Sequence, residues 1–261
     1  MPASPDTAFG YSQARLQARH GARLTEADWQ QLEASGDLEA LLHDCRSSAL
    51  ARWASHLGPQ NSVHEIELGL RQDWAGYVEE VAAWQPPAWR DAMLWLRWLP
   101  WLPGLQKLAR TGRPLAWMRG DPVFGPVVAA EPQERRAAVA RSAVLQPLAA
   151  GFAAPPDVAG AWTRHWRCLW PAGVRSASRP PLEQFARVLR DHASRVAALP
   201  DGASSIDLRA ALAARLARLF RRHPLSPTAT LAHLALVGLD LERLRGALTL
   251  RALRRPAGSL Q

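Results

Sequence analysis

Lysine is almost missing from this chain: Lys107 is the only one among 32 Lys and Arg side chains. A Walker-type phosphate loop ends in Gly-Lys followed by Ser or Thr. Lys107 stands in Gln-Lys-Leu instead, which excludes nucleotide hydrolysis by that route. Cysteine is scarce as well. Cys45 and Cys168 lie too far apart in sequence to read as a disulfide framework, and a reducing compartment is the expectation. No apolar run reaches the about 18 residues that a membrane-spanning helix needs. The nearest candidate, Ala92 to Leu105, is shorter and carries Arg97. Met1 to Gly10 has no charged start followed by an apolar stretch, so no secretory leader is expected. A Gly-x-Gly-x-x-Gly dinucleotide fingerprint is absent, and so is any apolar/polar alternation of the kind that marks strands.

Residues with chemistry are also thinly spread. His64-Glu65 begins like a zinc-protease helix, but the second histidine would fall at Leu68. Glu65 is better explained as the partner of Ser62 in a capping box. His165 and Cys168 share a helix face, yet two ligands alone do not make a metal site. His20, His43, His56, His192, His223 and His233 are scattered and read as surface or partly buried residues. No nucleophile motif supports a Ser-His-Asp arrangement. The expectation is therefore no catalytic residue, no cofactor and no metal.

Helical periodicity is what the chain has in quantity. Tyr11, Ala14, Ala18 and Ala22 recur at helical spacing. Thr25 with Asp28 forms an approximate capping box, Asp37 opens a short helix over Leu38, Leu41 and Leu42, and Ser62 with Glu65 forms a full box. From Ser62, Val63, Ile66, Leu70, Trp74, Tyr77 and Val81 follow at spacings of three and four until Pro86 and Pro87. Thr111-Gly112-Arg113-Pro114 is a helix-stop signature. Helices are expected over 88–99, 105–110, 132–149, 157–169 and 182–199. Leu208, Leu212, Leu216, Leu219 and Phe220 line a further one. Ser226-Pro227 opens another, Gly238 is expected to break it, and Asp240 to cap a last helix over 241–253. The fold expected is all-α, a multi-helix bundle. Residues 115–131, rich in Gly and Pro, read as a connector with a short extended piece between an N-terminal helical half (1–114) and a C-terminal one (132–261); one continuous domain is the alternative.

Charge divides the chain. Residues 1–100 hold 8 basic and 13 acidic side chains, whereas residues 101–261 hold 24 and 10. A basic half attracts nucleic acid, anionic lipid or an acidic protein; a solvated arginine surface is the plain alternative. Twelve tryptophans are present, with five between Trp84 and Trp101. Trp95, Trp98 and Trp101 form either an aromatic core or a Trp-Leu patch that docks on a membrane-embedded partner. Stacking on single-stranded nucleic acid is the weaker third reading, because these aromatics sit in the less basic half. The candidate partner-binding residues are thus Trp95, Trp98 and Trp101, with Arg218, Arg221, Arg222, Arg243 and Arg245 in the arginine-rich C-terminal third.

Three segments together resemble the C/d-subunit family of V-type and A-type rotary ATPases. Phe9-Gly10-Tyr11-Ser12-Gln13-Ala14-Arg15, followed by Arg19, Gly21 and Leu24, is similar to that family's opening helix with its aromatic and its Ala-Arg pair. Leu102 to Arg113 resembles a helix carrying an Asn-Leu pair before a basic ending, and Leu239 to Arg254 resembles the recurrent acidic-x-x-Asn-Leu-Arg element. The chain departs from the pattern at Gly104 and Arg243, which stand where the family has asparagine, and it is shorter than most members. The resemblance implies pseudo-repeated helical units and a non-catalytic, cytoplasmic subunit on the inner face of the membrane. It implies the proteolipid rotor ring and central-stalk subunits as partners, and torque transmission for ion transport as the job. A helical adaptor unrelated to ATPases is the alternative; a nucleic-acid partner is not favoured.

Overall fold

A computed structural model describes residues 9–128, 131, 134–174, 178–200 and 204–254. The start of the helix expected over 132–149 lies outside these, as does most of the Met1–Gly10 stretch. Among the described residues the secondary structure is helical throughout, with no strand. Thirteen α-helices occur among them: α1 (Gly10–Gly21), α2 (Glu26–Glu33), α3 (Leu38–Arg46), α4 (Ala51–Ala54), α5 (Val63–Ala83), α6 (Pro87–Leu94), α7 (Leu102–Thr111), α8 (Gly125–Val128), α9 (Arg135–Arg141), α10 (Val158–Cys168), α11 (Arg179–Ala197), α12 (Ile206–Arg222) and α13 (Pro227–Arg254). Tighter 3-10 segments run Trp95–Trp101, Ala116–Arg119 and Gln146–Phe152. Among the described residues no helix is long and apolar enough to cross a membrane.

The expected caps form. The Thr25 hydroxyl accepts from the Asp28 backbone N–H while the Asp28 carboxylate accepts from Thr25 N–H, and Ser62 and Glu65 repeat the exchange. Asp37 accepts from Ala40 N–H at 2.8 Å and starts α3. Gly112 ends α7 at φ 64°, the left-handed region where a side chain would be strained.

Several expected boundaries move. Gly238 does not break the last helix; α13 continues through it for 28 residues. Asp240 is therefore no cap. Its carboxylate instead accepts two hydrogen bonds from the Arg23 guanidinium, at 2.7 and 2.8 Å. The helix expected over 132–149 is interrupted after Arg141, and a 3-10 segment follows. The helix expected over 88–99 gives way at Trp95 to a 3-10 segment that contains Pro100. Proline removes a backbone donor and crowds the preceding turn.

The chain divides into two compact units, residues 1–87 with 172–261, and residues 88–171. Of the stretch expected as a connector, residues 116–119 form a 3-10 turn and residues 125–128 form α8, both within the second unit. In the first unit α13 is the central helix, packed against α1, α3, α5, α11 and α12. Thr228 to Leu234 of α13 are all buried, which is what a helix enclosed on several sides requires. In the second unit α10 packs on α7 and on the Gln146–Phe152 segment. Phe124 closes directly on Gly104, where a Cβ would come within 2.4 Å of the ring.

Candidate protein-interaction surface

The eight candidate partner-binding residues have three different fates. Trp95, Trp98 and Trp101 are 7%, 8% and 4% exposed and belong to the core of the second unit, the aromatic-core reading rather than the docking patch. Trp95 Nε1 donates to the Trp162 carbonyl at 3.2 Å, and its ring stacks on Trp162, which stacks in turn on Trp166. Trp98 and Trp101 meet edge to face at 5.6 Å, the arrangement that aligns ring edge with π-face. The helical spacing of these residues on the 3-10 segment and of Trp162 and Trp166 on α10 brings the indoles together.

Arg243 and Arg245 are engaged inside the first unit. Arg243 grips Glu33 and Glu26 with hydrogen bonds of 2.6–2.9 Å and lies over the Trp29 ring at 4.9 Å. These bonds, to Glu33 first and then Glu26, raise its already high pKa. Arg245 reaches Glu67 and Glu242, both across surface. Neither arginine is a free point of contact: Glu26 and Glu33 pair with Arg243, and Glu67 and Glu242 with Arg245.

Arg218, Arg221 and Arg222 are exposed on the last turns of α12. None of the ion pairs seen among the described residues uses them. The positive field is felt nearby: His20, at the end of α1, is held below its usual pKa by burial, then by Arg23 and Arg221. Burial and Arg222 do the same to His223. These three guanidiniums are the candidate residues that the structure leaves available at the surface.

Sequence reasoning missed a buried polar pair beneath that surface. His233 is wholly buried on α13, contrary to its reading as a surface or partly buried residue. Its Nε2 shares a 2.6 Å hydrogen bond with Tyr77 Oη from α5. Burial, with His20, Arg23 and Arg19 adding to it, pushes His233 down to about 3, so the ring is neutral at ordinary pH. The only signal in the sequence was a histidine among apolar α13 residues.

His165 packs edge-on against Trp95 at 4.5 Å, while Cys168 is an exposed free thiol. Cys45 is buried, which pushes its thiol up to about 11 and leaves it protonated. Among the described residues no group of three or more His, Cys, Asp and Glu side chains is placed to hold a metal ion. Comparison with protein-family models, with curated proteins and with solved structures finds no match for this chain.

Proposed function

We propose that this chain is a non-catalytic helical subunit that links the membrane rotor ring of a V/A-type ATPase to its central stalk and transmits torque for ion transport. The observation that carries the reading is the pairing of two family-like segments from opposite ends of the chain. Residues 9–24 form α1 and its exit, residues 239–254 form the second half of α13, and α1 packs on α13 within one unit. Arg23 and Asp240, one from each segment, close the contact with a bidentate ion pair.

Both departures from the family pattern are accommodated. At Gly104 the Phe124 ring fills the volume that an asparagine would need. At position 243 arginine replaces asparagine, and two glutamates from α2 hold it. What supports the reading of a divergent member is that the packing at both positions suits the residues that replace asparagine.

The test is retrieval of partners from the host membrane. A tagged chain should recover proteolipid ring or central-stalk subunits from detergent extracts. Arg218→Glu, Arg221→Glu and Arg222→Glu together should slow that association and weaken its salt dependence while circular dichroism stays unchanged, since rim charges act mainly on encounter and orientation. Recovery of no rotary-ATPase subunit from cells that express one would hand the function to the adaptor reading.

A further inference from the structure

The turn between α12 and α13 runs His223-Pro224-Leu225-Ser226. Leu225 stands at φ 53°, the left-handed region that crowds the Cβ of any L-residue and that glycine or asparagine normally occupies. It is held there from both sides. Its N–H donates to Oε1 of Gln13, a buried side chain of α1, at 3.0 Å. The Ser226 hydroxyl donates to the His223 carbonyl at 2.6 Å and accepts from Ala229 N–H, which ties the turn to the start of α13.

This strained leucine is not spent on the core, for 40% of it is exposed. A turn shaped for stability alone would carry glycine or asparagine here. Arg221 and Arg222 directly precede the turn and Arg218 lies one helical turn earlier, all exposed. The result is a partly exposed apolar side chain a few residues along the chain from guanidiniums that no ion pair among the described residues neutralises.

We infer that Leu225 is the anchor of a protein-docking site: it enters an apolar notch on a partner whose rim is acidic, and Arg218, Arg221 and Arg222 meet that rim. The inference deepens the subunit reading by naming a contact point, and it rests on that reading for the partner being a protein. The chemistry favours a protein over the other polyanions. Nucleic acid offers phosphates and stacking faces, which an aliphatic side chain does not exploit. A lipid surface calls for a broad apolar helix face rather than a single side chain on a turn. Arginines around a small apolar anchor match the usual composition of protein interfaces.

The test uses the full chain and a fluorescent peptide of glutamates interrupted by leucines. Its comparison ligands are leucine-free polyglutamate, phosphatidylglycerol vesicles and a DNA duplex. The leucine-bearing peptide should bind most tightly. Leu225→Gly and Leu225→Asn should each weaken it by about tenfold, the effect of removing one anchor, without lowering Tm. Arg221→Glu with Arg222→Glu should weaken it similarly. The inference is overturned if both Leu225 variants bind like the parent, if both lose Tm, or if polyglutamate, vesicles or duplex bind as tightly as the leucine-bearing peptide. No rotary-ATPase subunit takes part, so this result and the pull-down can fail independently.

Discussion

His233 shows how much one buried residue can alter the pH response. Its folded pKa is pushed down to about 3 from an ordinary 6.5. A histidine held neutral in the fold gives stability that is fully present above the unfolded pKa and is lost as pH falls through the window between the two values. Below pH 6.5 the loss approaches about 1.4 kcal/mol per pH unit. His20, His165, His192 and His223 are lowered too, and they add slope of the same sign. Urea denaturation of His233→Gln from pH 7.5 to 4.5 should show lower stability at the top of the range and a shallower acid decline than the parent. Parallel curves would show that His233 does not set the acid limb. None of this was legible in the sequence, because spacing places a histidine on a helix but not the tyrosine opposite it. The same holds for Asp240. Its position suited a cap, and only Arg23 on another helix reveals it as half of an ion pair.

Elements were more legible, because caps and stops depend on residues a few positions apart. Thr25/Asp28, Asp37, Ser62/Glu65 and Gly112 all act where local chemistry places them. Gly238 did not, and the difference is tertiary. A glycine inside a helix costs about 1 kcal/mol relative to alanine. α13 tolerates that because its flanking turns are buried against the neighbouring helices. The two glycines should therefore answer alanine in opposite ways. Gly112→Ala forces a side chain into φ 64° and should destabilise by about 1 kcal/mol. Gly238→Ala meets only the Trp74 ring at 3.8 Å, an ordinary contact, and should stabilise by about 0.5–1 kcal/mol. Thermal melts of the two variants check the pair, and a shift of the same sign in both would refute the account.

At the scale of the whole molecule, the first unit is discontinuous: residues 172–261 complete what residues 1–87 begin. α5 lays Tyr77 against His233, and Gly238 of α13 lies beside Trp74, so neither α1 nor α5 has its apolar face covered without α13. A fragment ending at residue 171 should then lose helical signal and the cooperative melt of its N-terminal part. Co-expression of residues 172–261 should restore both. A fragment that keeps the parent Tm would show that α13 is not the centre of that unit.

The sequence by itself determined the all-helical class, the principal caps and stops, and the split of charge between the two parts of the chain. Each of these depends on residues within a few positions of one another or on simple counts. Tertiary structure alone decided that Trp95, Trp98 and Trp101 are core and that Arg243 is clamped by Glu26 and Glu33. It also left Arg218, Arg221 and Arg222 at the surface beside a strained, exposed Leu225. The physical reason is the same in each case: whether a side chain is buried, paired or free depends on which distant helix packs against it.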